Sequence, residues 1–147
     1  MKWFATALAA IAIIVPSKGY TCEEHEAQAQ AKSKPAVQKL SVQQLAQLRE
    51  QHKATIYDAN DTDTRQKIGV IPDAKLLTSA VKYDPAKELP ASKSDKVVFY
   101  CYNEQCGASH MAAKKATEAG YTDVAVLPAG IAGWKAAGQP TKTPSQS

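Results

Sequence analysis

The stretch KVVFYCYNEQCGASHMAAKKATEAGY, residues 96–121, decides the fold. VVFYC is almost wholly apolar, β-branched and aromatic, the composition of a central strand buried on both faces. Such a strand delivers Cys101 to the carboxyl end of a sheet. A polar loop follows, and SHMAAKKATEA then reads as a helix of good formers ended by Gly120. The chain has three cysteines, and two of them, Cys101 and Cys106, bracket four polar residues here. That pair is either a structural staple or the chemistry itself.

Towards the C-terminus, DVAVLP is the next strand, and GIAGWKAAG closes with a short helix whose Trp134 is expected in the core. Towards the N-terminus, SVQQLAQLREQH begins with Ser41 as cap and Gln44 closing the box, and Val42, Leu45 and Leu48 form one helical stripe. ATIYDA, residues 54–59, reads as a strand ending in Asp58. DTDTRQKIG predicts a short helix stopped by Gly69, VIPDAKLLTS returns towards the sheet, and Asp84 with Pro85 opens another helical piece. This alternation predicts an α/β fold, a parallel sheet covered by helices on both faces. In such sheets ligands sit at the carboxyl ends of strands, where Cys101 lies.

The 147 residues, 44% hydrophobic and 22% charged, suit one domain. MKWFATALAAIAIIVPSKG has Lys2, an apolar run from Trp3 to Val15 and then small or polar residues, the layout of a secretory signal peptide over 1–19 with cleavage after Gly19. The expectation is a periplasmic or secreted protein with no stable membrane insertion after cleavage. Loss of Lys2 and Lys18 lowers the formal charge from +4 to 18 − 2 − 14 = +2. That scattered surplus, without a basic run interleaved with aromatics, argues against nucleic acid. Residues 20–38 read as a flexible linker, 39–141 as the domain and 142–147 as a disordered tail. Cys22 and His25 share a helical face if the linker is helical, but two ligands make a weak metal site.

Four pieces, IYDAN, GVIPDAKLL, VVFYC with its tight loop and helix, and GYTDVAVLPAGIAGWKAAGQP, resemble the single-domain rhodaneses, or sulfurtransferases, over about Ser41 to Pro140. The resemblance implies the rhodanese-like fold, with Cys101 as the nucleophile that carries a sulfane sulfur as a persulfide and passes it to a thiophilic acceptor. It implies no metal and no organic cofactor. The loop residues Tyr102, Asn103, Glu104, Gln105, Cys106 and Gly107 would cradle the sulfur with inward N–H groups. A thiol at the mouth of a helix N-terminus is also expected to have a lowered pKa on general grounds. Asp58 is expected to fix a loop as a hydrogen-bond acceptor, and Ser109 to cap the helix. The family's Asp-x-Arg is Asp58-Ala59-Asn60 here, and its Gly-His-Ile-Pro-Gly is Gly69-Val70-Ile71-Pro72-Asp73. The loop contains no arginine or lysine and carries Glu104, so a dianion such as thiosulfate would meet only backbone dipoles and an adverse charge.

Cys106 stands where a loop arginine is often found, and three readings of it are open. It is a small residue supporting the loop, a resolving thiol that empties Cys101 and leaves a disulfide, or half of a permanent disulfide in a non-enzymatic, redox-responsive interaction domain. Cys101, Cys106 and His110 lack a fourth metal ligand. His110 reads as a polar helix residue rather than a base, and His25 and His52 lie in segments not expected to reach the loop. Cysteine phosphatases share the strand, loop and helix but need an arginine after the cysteine, and none follows Cys101. The partners implied are a small sulfur donor and a thiol or other thiophilic acceptor.

Overall fold

Strand β4 (Val97–Tyr100) has no exposed surface at any of its four residues, and the rest of the fold is the cover it requires. The computed structural model describes residues 36–144. The expected signal peptide, most of the linker and the last three residues lie outside them. In chain order the elements are β1 (Gln38–Lys39), α1 (Val42–Glu50), β2 (Thr55–Asp58), α2 (Thr62–Ile68), β3 (Lys75–Leu76), α3 (Pro85–Glu88), β4, α4 (Ala108–Glu118), β5 (Val124–Leu127) and α5 (Gly130–Ala136). The strands form a five-stranded parallel sheet in the order β1-β5-β4-β2-β3, with β4 at its centre.

Side chains alternate across a strand, so β4 feeds two cores. Val97 and Phe99 pack with Tyr57, Tyr83 and the alanines 112, 113 and 116 of α4. Val98 and Tyr100 pack on the other face with Leu45 of α1, Ile56, and Ile131 and Trp134 of α5. Trp134 is fully buried, and its indole N–H donates to Pro140 O at 2.7 Å, which ties down the end of the domain. The Tyr57 and Phe99 rings stack at 5.5 Å, and the Tyr83 hydroxyl donates to Ala112 O at 2.8 Å, holding α4 to the segment between β3 and α3.

The helix starts follow their local signals. Ser41 and Gln44 make the reciprocal capping box, Asp61 caps α2 through Thr64 N, and Asp84 caps α3 with Pro85 in its first turn. Two boundaries differ from the sequence reading. Gln38, assigned to the linker, is in β1 beside β5, and Leu40 N donates to Val126 O at 2.9 Å. Lys142, assigned to the tail, exchanges both backbone hydrogen bonds with Val70. A two-residue edge strand and a single bridge carry no alternation to read, so only the partner strand reveals them.

Asp58, at the end of β2, is fully buried and joins three elements. Its Oδ1 accepts from Asn60 N at 2.7 Å and from Arg65 Nε at 3.2 Å, and its Oδ2 accepts from the Tyr100 hydroxyl at 2.5 Å. Arg65 also donates to the carbonyls of Asp58 and Leu77, and the Tyr100 oxygen accepts from Ile71 N at 3.1 Å. Burial, and then the Asp58 charge, hold the Tyr100 phenol far above its ordinary pKa, so it remains a donor.

Helix α5 grips the cysteine loop from the opposite side. Ile131 N donates to Cys101 O and Ala132 N to Tyr102 O, each at 2.9 Å. Gly130 has φ +58°, and a β-carbon there would stand 2.4 Å from Tyr102 O and 2.5 Å from Cys101 O.

Two stability predictions follow from this packing. Arg65→Ala leaves a buried carboxylate uncompensated and costs about 3–5 kcal/mol, whereas Tyr100→Phe costs about 1–3 kcal/mol. Urea denaturation checks both, and equal costs would refute the ranking. Gly130→Ala is expected to cost about 2–4 kcal/mol through the clash and the positive φ; an unchanged urea midpoint would show that the loop is not gripped as described.

Candidate active site

Cys101 follows β4 directly and is 1% exposed, at the carboxyl end of the central strand. Its sulfur is 3.3 Å from Ser109 Oγ and donates to Cys106 O at 3.0 Å. Asn103 O lies farther away, at 4.0 Å. Ser109 also turns its backbone N–H towards this sulfur. The expected cap role of Ser109 is corrected here: α4 starts at Ala108 after Gly107, with no side-chain cap, and Ser109 sits in the first turn, 1% exposed and facing Cys101. An N-cap side chain must precede the helix; one residue inside it, the hydroxyl turns to the thiol instead.

The loop backbone differs from a cradle of inward N–H groups centred on Cys101. Gln105 N is taken by the Asn103 side chain and Cys106 N by Asn103 O, both at 3.1 Å. The Cys106 carbonyl, an acceptor, faces the Cys101 thiol. The expected lowering of the Cys101 pKa is therefore reversed. Burial pushes this thiol up, its bond to Cys106 adds to that, and the Ser109 groups only partly oppose it. Cys106 moves the other way. Burial works against its ionisation, but hydrogen bonds from the Cys101 thiol and from the N–H groups of Tyr102 and Ala108 outweigh it and lower its pKa. Ala108 is the first residue of α4, so the helix N-terminus serves Cys106. Both cysteines are free thiols.

Beside the loop lies a cleft of about 360 Å³. The β2–α2 turn contributes Asn60 and Asp61, the first turn of α2 contributes Thr64, the segment after β3 contributes Thr78 and Ser79, and the loop contributes Tyr102 and Cys106. Cys106 lines it and Cys101 does not. The Thr64 N–H and hydroxyl hold the Asp61 carboxyl below its usual pKa, so an anion sits at the rim, and no lysine or arginine among the described residues lines the cleft. Asn60 is 8% exposed, and its Nδ2 has no partner among the described residues.

Glu104 and His110 are exposed, and His52 lies before β2, at the sheet end away from Cys101. Cys22 and His25 fall outside the described residues. Among the described residues no cluster of three or more His, Cys, Asp or Glu could hold a metal. Sequence reasoning missed Arg65, Asn60 and Gly130. Arg65 is one charged residue in a polar helix, and nothing local marks it as buried. The only signal for Gly130 was its place at the start of a helix after β5, where glycine is unusual unless backbone must approach closely.

No curated protein matches the chain. The family model for the rhodanese-like domain matches residues 41–137. Among solved structures, a rhodanese-like domain from Anabaena sp. is similar at 25% identity and TM-score 0.59, covering 76% of this chain and 88% of that one. A protein of unknown function from Rhodopseudomonas palustris, named as a possible tyrosine phosphatase, is 26% identical at TM-score 0.59, covering 72% and 85%. A thiosulfate sulfurtransferase from Pseudomonas aeruginosa shares the fold at 22% identity and TM-score 0.61, covering 74% of this chain and 21% of that one. With its parallel sheet, its cysteine loop and a family match over most of its length, the chain belongs to the rhodanese-like domain family.

Proposed function

We propose that this protein is an exported sulfurtransferase in which Cys101 holds a sulfane sulfur as a persulfide and yields it to a thiophilic acceptor. The observation that carries this reading is the setting of the Cys101 sulfur. It sits at the carboxyl end of the central strand, under a loop, with the Ser109 hydroxyl and N–H turned to it. Two donors aimed at one sulfur stabilise a negative charge that forms there. A buried persulfide is also shielded from water and stray oxidants. The chemistry is a double displacement between two sulfur compounds, in which the enzyme's sulfur is first loaded and then emptied.

The donor is a persulfide or polysulfide rather than thiosulfate. The cleft beside the loop has Asp61 at its rim, and Glu104 is exposed on the loop. A dianion approaching two carboxylates with no nearby cation meets repulsion that a neutral or singly charged donor largely avoids. Phosphoryl transfer is disfavoured by the same absence, since no arginine follows Cys101 to bind a phosphate. A second reading, a redox-responsive interaction domain, is favoured by one observation, two free cysteines side by side with the Cys101 sulfur 3.0 Å from the Cys106 carbonyl.

Intact mass after incubation of the reduced protein with polysulfide, thiosulfate or mercaptopyruvate tests the main reading. The expected result is a gain of one sulfur from polysulfide that survives desalting, is removed by cyanide and is absent in Cys101→Ser. No gain with any donor would falsify sulfur carriage. Glu104→Arg is expected to raise the rate of thiosulfate loading by about tenfold or more; no increase would remove charge as the reason for donor choice. Export is checked by N-terminal sequencing of the mature protein, expected to begin at Tyr20; a retained Met1 would exclude cleavage.

A further inference from the structure

We propose that Cys106 is the gateway thiol of this site: it meets the sulfur donor in the cleft, passes the sulfur to Cys101 for sheltered storage, and takes it back for delivery. The proposal rests on the sulfurtransferase reading and assigns the second thiol a part in both directions of transfer.

Geometry separates the two cysteines. Cys101 is 1% exposed, lines no part of the cleft and points its thiol at the Cys106 carbonyl at 3.0 Å. Cys106 is half-buried and forms part of the cleft wall, which it shares with Thr64, Thr78 and Ser79. A donor entering this cleft meets the Cys106 sulfur first. The Cys101 sulfur also lies 3.0 Å from the Cys106 carbonyl, so the two cysteines are neighbours and a sulfur carried on one is presented to the other. Ionisation follows the same order. Cys106 has the Tyr102 and Ala108 N–H groups on its sulfur and is the more acidic thiol, while buried Cys101 keeps its proton.

The chemistry balances without an outside oxidant or reductant. The Cys106 thiolate attacks the outer sulfur of a persulfide RSSH. A bond forms between Cys106 Sγ and that sulfur, the donor's S-S bond breaks, and its electron pair leaves on RS⁻. Cys101 then attacks the same outer sulfur. The new S-S bond forms at Cys101, the one at Cys106 breaks, and the departing Cys106 sulfur takes the proton that Cys101 gives up. The transferred atom remains a sulfane sulfur throughout. Delivery to an acceptor thiol runs these steps in reverse, through the cleft. This differs from a resolving role, in which Cys106 would attack the inner sulfur, expel sulfide and leave a disulfide.

The test mixes the reduced full-length chain with cysteine persulfide and quenches it at intervals by alkylation. Cleavage after Glu104 puts the two cysteines on separate peptides for mass analysis. In the wild type the added sulfur is expected first on the Cys106 peptide and then on the Cys101 peptide. Cys106→Ser is expected to slow both loading and discharge of Cys101 by about tenfold or more while leaving the amount held at equilibrium unchanged. Wild-type rates in Cys106→Ser, sulfur appearing first on Cys101, or a Cys101–Cys106 disulfide formed with release of sulfide would each overturn the gateway. If neither cysteine of the wild type gains sulfur, the sulfurtransferase reading itself fails and the gateway falls with it. Iodoacetamide labelling of the wild type needs no variant to fold: Cys106 is expected to react before Cys101, and the reverse order overturns the proposal.

Discussion

The buried carboxylate of Asp58 is the constraint on which the rest of this fold depends. A charge taken out of water must find partners or destabilise the structure by several kcal/mol. Asp58 finds them on three separate elements, in Asn60 N, the Arg65 guanidinium and the Tyr100 hydroxyl. Tyr100 is the last residue of β4, one step before Cys101, and its oxygen also holds Ile71 N. The end of the central strand, the helix after β2 and the crossing segment before β3 are thus tied to one carboxylate. The position of the reactive loop is fixed by a residue that touches no sulfur.

The loop is held from both ends in different ways. Below it, β4 is buried on both faces and pairs with β2 and β5 along its length. Above it, α5 directs two N–H groups at the carbonyls of Cys101 and Tyr102, an approach open only because residue 130 has no side chain. Between these anchors the loop turns on Asn103, whose carbonyl and side chain take up the N–H groups of Cys106 and Gln105. Those donors are then unavailable to Cys101. The neighbouring donors of Tyr102 and Ala108 go to Cys106, and this is the physical origin of the division between a protonated interior thiol and a more acidic one at the cleft.

Much of the fold was legible because its signals are local. The capping box at Ser41, the Asp84-Pro85 start and the apolar run of β4 each declare themselves within a few residues. The Tyr100 to Asp58 bond spans 42 residues and the Ile71 to Tyr100 bond 29, and no periodicity encodes either. The two-residue strands β1 and β3 likewise exist only through their neighbours. At the candidate site, the spacing of Cys101 and Cys106 marked the loop between β4 and α4. It said nothing of which thiol faces the cleft, because that depends on one carbonyl turning inward and on Ser109 standing one residue inside the helix rather than before it.

The grip of α5 on the cysteine loop also orders events in time. The carbonyls of Cys101 and Tyr102 find their partners only when Ile131 and Ala132 are in place. Those residues come near the end of the domain and close a long-range contact, the kind that forms late in folding. A nascent chain that has not yet docked its last helix therefore holds Cys101 and Cys106 in an unfinished loop. The cysteine loop reaches its final shape only once the domain is complete, so the setting of both thiols is a property of the whole fold rather than of the segment that carries them.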